Sequence, residues 1–160
     1  METAARSGEI VVGVDDSPYG LAALRWAYQE ASGTGRTLHA VRAWSFDPRF
    51  DPRSVVAESA VQMRSMQGEQ FDTMLRQVGT GTVEIRPELI EGHAAEVLVR
   101  VSKGAAMLVL GSHGRGRLLN ALVGSITAQC LRKAACPVVV IPAHTVPDTA
   151  GTADPPTKAL

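Results

Sequence analysis

Two glycine clusters contain groups that could hold an anion. The run Gly111-Ser112-His113-Gly114-Arg115-Gly116-Arg117 is followed, after nine residues beyond Gly114, by Gly124-Ser125-Ile126-Thr127. Glycine lets successive backbone N–H groups turn toward a charge with no Cβ in the way, and a helix starting after such a turn adds its positive end. Ser125 and Thr127 bring hydroxyl donors, and Arg115 or Arg117 a guanidinium suited to phosphate. The chemistry these residues suggest is phosphate binding. The same spacing also suits a tight strand-to-helix turn in which Gly124 allows close helix packing, and spacing alone leaves both readings open. Two familiar phosphate patterns fail. Residues 111–118 have Arg117-Leu118 where a P-loop needs Lys then Ser or Thr, and Gly114-x-Gly116 lacks the third glycine of a dinucleotide fingerprint.

Asp15 and Asp16 close the first apolar run and stand before Ser17-Pro18. An acid there can hold a magnesium ion, or can help Ser17 cap the next helix. ATP hydrolysis needs a metal-positioning acid, a group that orients water and stabilisation of the transferred charge. Asp15 or Asp16 and Arg115 supply part of that set, so the sequence indicates slow hydrolysis at most. Cys130 and Cys136 have neither the number of a disulfide framework nor the companions of a zinc site, and read as two buried thiols.

These residues need a scaffold, and the apolar pattern provides one. Residues 9–15 form a short β-branched run suited to a strand covered on both faces. Ser17-Pro18 then starts a helix that Gly33 and Gly35 stop. Residues 37–44 read as a second, more alternating strand, and residues 45–54 as a loop. A long helix follows over 55–78, with Val56, Ala60, Met63, Phe71, Met74 and Leu75 inward and Gly68 as a weak point. A third strand over 82–90 carries Pro87, which points to a sheet edge. Residues 92–103 form a short helix with Ala95, Leu98, Val99 and Ser102 on one side, and residues 106–111 a fourth strand. Leu119, Leu122, Val123, Ile126, Cys130 and Leu131 keep helical spacing before a fifth strand over 137–142. Five strands alternating with four helices imply right-handed crossovers and a mainly parallel, doubly wound α/β sheet. Ligands of such sheets bind beyond the carboxyl ends of the strands where the winding reverses, so function is expected after strands one, two and four.

At 160 residues the chain fits one domain, expected over residues 8–143 with a disordered tail at 144–160 rich in proline and small polar residues. Its 16 basic and 16 acidic residues cancel, which removes the diffuse positive field that drives non-specific binding to nucleic acid or anionic lipid. No apolar run approaches a membrane span and residues 1–9 lack the core of a signal peptide, so the expected location is the cytoplasm. Val138, Val139, Val140 and Ile141 at a sheet edge offer unpaired backbone and apolar area to a second copy.

Gly111-x2-Gly114-x9-Gly124-Ser125 resembles the nucleotide-binding signature of the universal stress protein family, in its ATP-binding branch. Val11-Val12-Gly13-Val14-Asp15-Asp16-Ser17 is similar to that family's opening strand, and Cys136-Pro137-Val138-Val139-Val140-Ile141 to its closing strand. The resemblance implies a Rossmann-like sheet of order 3-2-1-4-5, a homodimer formed through the fifth strands, and ATP, with or without magnesium, as the ligand of a stress-responsive regulatory module. It places Asp15 on the ribose, the backbone of Ala43 on adenine, and Gly13 and Val14 along the base. Gly111, His113, Gly114 and Arg115 would surround phosphate and ribose, with Gly124, Ser125, Ile126 and Thr127 completing the phosphate grip. Arg117 departs from the small residue found there in many relatives, and the His-x-Gly-His signature of adenylyl-transferring relatives is absent. The alternatives are a nucleotide-independent dimeric scaffold and a slow ATPase.

Overall fold

The structure, a computed structural model, describes residues 7–45, 56–78, 81–114 and 123–142; of residues 56–59 only the helical backbone is described. Nine elements alternate along the chain: β1 (Ile10–Gly13), α1 (Pro18–Thr34), β2 (Leu38–Trp44), α2 (Val56–Arg76), β3 (Ile85–Glu91), α3 (Ala94–Val101), β4 (Met107–Gly111), α4 (Ser125–Lys133) and β5 (Val138–Ile141). The strands form one sheet in the order β3-β2-β1-β4-β5, with every pairing parallel. β1 therefore lies between β2 and β4, and the winding reverses at the carboxyl ends of β1 and β4, where Asp15 and the glycine clusters stand.

The two faces of the sheet carry separate cores. Ile10, Val12, Leu38, Ala40 and Val109 pack under α1 and α2, against Ala23, Leu24, Ala27, Phe71 and Met74. Val11, Val41, Leu108 and Leu110 pack under α3 and α4, against Ala95, Leu98, Val101 and Cys130. A strand buried on both faces cannot alternate in polarity, hence the unbroken apolar runs of β1 and β4. Pro87, which has no N–H to give a ladder, sits in the edge strand β3 opposite Ala40.

Local signals set the helix ends. Ser17 is extended at φ −79°, and its hydroxyl accepts from the N–H of Gly20 with Pro18 following in the first turn. Helix α1 runs through Gly33 and stops only at Gly35, which adopts φ 65° and donates its N–H to the carbonyl of Ala31. Of the two glycines that mark the helix end in the sequence, Gly33 stays helical and Gly35 makes the left-handed turn. β3 likewise begins at Ile85 and not at residue 82. Among the described residues no helix is long and apolar enough to cross a membrane.

The alternation expected of β2 is overturned. His39 and Arg42, its polar members, are both buried. β2 is an interior strand between β3 and β1, and each of the two finds polar partners. His39 Nε2 lies 2.8 Å from Glu88, and its Nδ1 lies 3.0 Å from an Nη of Arg86, which also pairs with Glu9. A guanidinium can only donate, so His39 Nδ1 must accept and Nε2 must carry the proton given to Glu88. Burial, reinforced by Arg86, holds the imidazole below its usual pKa and outweighs the opposing pull of Glu88 and Glu9. Cys130 is buried and Cys136 half-buried, and both are free thiols. Burial, with a smaller contribution from Cys136, pushes the Cys130 pKa up to about 11, which keeps it an unreactive thiol at neutral pH.

Candidate functional site

One cleft of about 420 Å³ opens at the carboxyl ends of β1, β2 and β4, within the range of small-molecule sites. Its acid comes from the turn after β1. Asp15 Oδ1 accepts from both the N–H and the hydroxyl of Ser17, while Oδ2 faces Gly114 so closely that a Cβ there would stand 2.8 Å away. The capping role and the ligand-facing role of Asp15 thus divide between its two oxygens. Asp16 is exposed and does not line the cleft.

The two glycine clusters meet across the same opening. The N–H of Gly124 donates to the carbonyl of Ser112 at 2.7 Å, and the hydroxyl of Thr127 donates to the carbonyl of Gly111 at 2.8 Å. Thr127 therefore spends its proton tying α4 to β4, whereas Ser125, exposed at the helix start, keeps its hydroxyl for the cleft. Helix α4 begins after Gly124, which is extended and offers no side-chain cap. The first N–H groups of a helix have no partner within it, so those at the head of α4 are directed at whatever fills the cleft. His113 is anchored by Ser112 Oγ at 3.1 Å from Nδ1 and by the ring of Tyr19, with centroids 5.6 Å apart, rather than hanging as a free linker. Gly111 must lack a side chain because a Cβ would stand 2.8 Å from Cβ of Tyr19.

Opposite the glycines lies an apolar slot. Gly13 forms its base, and a Cβ there would stand 2.7 Å from Leu110 and 3.0 Å from Leu98. Val14 is held in place by a hydrogen bond from its N–H to the carbonyl of Val41, 2.9 Å. Ala43 and Trp44, at the end of β2, and Gln67, from α2, close the far end. The structure thus brings together Gly13, Val14, Asp15, Ala43, Gly111, His113, Gly114, Gly124, Ser125, Ile126 and Thr127 along one cleft. Arg115 and Arg117, and with them most of the 45–54 loop and the 144–160 tail, lie outside the described residues.

Residues 7–142 match the family model described as the universal stress protein family. The chain belongs to that family. It is 31% identical over 150 residues to the universal stress protein Rv1996 of Mycobacterium tuberculosis, covering 83% of this chain and 47% of that protein. It is 32% identical over 138 residues to Rv2623 of the same organism, covering 82% and 46%. The chain therefore spans about half the length of these curated relatives. Among solved structures, the hypothetical protein MJ0577 superposes with a TM-score of 0.74 at 16% identity, over 86% of this chain and 97% of that one. A universal stress protein in complex with cAMP gives 0.56 at 19% identity, over 86% and 98%. One from Archaeoglobus fulgidus in complex with dAMP gives 0.54 at 22%, over 84% and 97%. At these identities the shared property is the fold.

Several cleft residues carry no sequence signal that singles them out. Gly20 lies inside an alanine-rich helix, yet a Cβ there would collide with the carboxylate and carbonyl of Asp15. A glycine in the first turn of an otherwise strong helix was the available clue. Leu98 and Leu110 read as ordinary core, and Gln67 as one polar residue among many on α2. Ile141, in the edge strand β5, has its side chain buried in the core beneath α1, while Val138, Val139 and Val140 are half-buried. Alternate residues of a strand face opposite sides of the sheet, so Ile141's side chain serves this chain's own core.

Proposed function

We propose that this chain is an adenine-nucleotide-binding module of the universal stress type, with ATP as its ligand and nucleotide occupancy as its regulatory signal. The observation that carries the reading is the convergence of Asp15 Oδ2, the Gly111–Gly114 turn and the uncapped head of α4 on one cleft with an apolar slot at its other end. That division of polar and apolar lining matches a nucleotide, whose phosphates accept N–H groups and whose base is flat and largely apolar. The cAMP and dAMP complexes of neighbouring folds support the adenine class.

In this reading Asp15 Oδ2 takes a ribose hydroxyl, and the backbone of Ala43 meets the base. The N–H groups at the start of α4, those of Ser125 and Ile126 among them, take the phosphates with Ser125 Oγ; Gly111 and Gly114 keep the turn close, and Thr127 holds the helix start in place. Magnesium would arrive with the triphosphate, since that ion usually takes only one or two protein carboxylates, and Asp15 offers one. A switch needs different ATP affinity in two states, and a second copy paired through β5 is the proposed route to the second state.

Isothermal titration with ATP, ADP, AMP, cAMP and dAMP tests the ligand. Saturable binding by folded protein, stronger for one or more of these than for GTP, is expected; no binding of any adenine nucleotide refutes the assignment.

A further inference from the structure

The buried guanidinium of Arg42 stands directly behind the apolar end of the cleft. Its Nε donates to Oε1 of Gln67 at 2.9 Å, one Nη donates to Oε1 of Gln70 at 2.9 Å, and the other reaches Sδ of Met74 at 3.7 Å. An amide side chain could in principle turn either end toward a neighbour. Arginine removes that freedom, because a guanidinium has five donors and no acceptor. Gln67 must give its oxygen to Arg42, so its NH2 is the end left over. Among the described residues that NH2 has one soft contact, to Met63 Sδ at 3.9 Å, and Gln67 lines the cleft. Arg42 and Ala43 are successive residues of β2, which sets Gln67 beside the backbone already assigned to the base.

We propose that Gln67 is a base-reading residue, a hydrogen-bond donor to a ring nitrogen of adenine, and that Arg42 is the positioning residue that fixes its donor polarity. The inference rests on the nucleotide reading of the cleft. It names a chemistry that a merely structural glutamine would not have: the site asks for an unprotonated ring nitrogen at this point. A carboxylate at position 67 would keep the contact with Arg42 and reverse the polarity shown to the base.

The test is a binding cycle with ATP and its 1-deaza, 3-deaza and 7-deaza analogues, each lacking one ring acceptor. In the wild-type protein one analogue should bind roughly five- to thirtyfold more weakly than ATP, the loss of one hydrogen bond. Gln67→Leu should weaken ATP by a similar factor and become indifferent to that same analogue. Gln67→Glu should melt no lower than wild type, because its carboxylate still accepts from Arg42, yet bind ATP more weakly than Gln67→Leu does. If wild type binds ATP and Gln67→Leu keeps its full sensitivity to all three analogues, or loses no affinity, the base-reading role is overturned while the nucleotide site stands. If wild type binds neither ATP nor any analogue, both fall.

Discussion

Gly114→Ala places a methyl group where the structure leaves too little room for one. Its carbon would lie 2.8 Å from Asp15 Oδ2, about 0.6 Å inside ordinary van der Waals separation. Asp15 cannot yield freely, because its other oxygen is held by the N–H and hydroxyl of Ser17. The turn can move instead only by straining the 2.7 Å bond between Gly124 N–H and the Ser112 carbonyl. Either response breaks or stretches a hydrogen bond, and one to a charged group is worth about 1.5–3 kcal/mol. If the ligand bridges these two segments, that cost appears as roughly a ten- to hundredfold rise in the Kd for ATP. Gly33→Ala is the control: a Cβ there meets nothing within 4 Å, and it sits in helix α1. It should raise stability by about 0.5–1 kcal/mol and leave binding unchanged. Titration calorimetry, with circular dichroism to verify folding, reads both. A folded Gly114→Ala protein that binds ATP as well as Gly33→Ala does would refute the idea that the acid and the glycine turn act on one ligand.

Ser17→Ala removes both the cap on Gly20 N–H and the hydroxyl that anchors Asp15, so urea denaturation should show a loss of about 1–2 kcal/mol, with ATP affinity falling alongside. His39 has a folded pKa below the 6.5 of an unperturbed imidazole, so on acidification the unfolded chain takes up a proton before the folded one does. Stability should therefore fall as pH drops below about 6.5 toward the lower folded value, by at most about 1.4 kcal/mol per pH unit. Denaturation between pH 7 and pH 5.5 should show this slope, and His39→Gln should flatten it; an unchanged slope would remove His39 as the cause. Val140→Lys puts a charge on the β5 edge; if copies pair through β5, as proposed, sedimentation should show the wild-type chain dimeric and Val140→Lys monomeric at the same concentration. A dimer that persists in Val140→Lys would place the interface elsewhere.

Some of this protein follows from one-dimensional pattern. Unbroken β-branched runs such as Ile10–Gly13 mark strands covered on both faces, Ser17-Pro18 marks a helix start, and Pro87 marks an edge strand, because each reports on the backbone of its own neighbourhood. The order of strands and helices then confines a ligand to the carboxyl ends of β1 and β4. The glycine spacing marks the close turn after β4 for the same reason: a missing Cβ is a local property with a local use.

Tertiary structure decided what depends on distant partners. His39 and Arg42 are polar residues on opposite faces of β2, yet both are buried, since Arg86 and Glu88 meet one and Gln67, Gln70 and Met74 the other. Thr127 looks like a phosphate donor until its proton is found on the carbonyl of Gly111, 16 residues earlier. Gly20 acquires its meaning only from Asp15 beside it, and Gln67 only from a guanidinium 25 residues away that dictates which end of its amide faces the cleft. Polarity at a site is fixed by the group on the far side of each hydrogen bond, and the chain order does not contain that group until the sheet has formed.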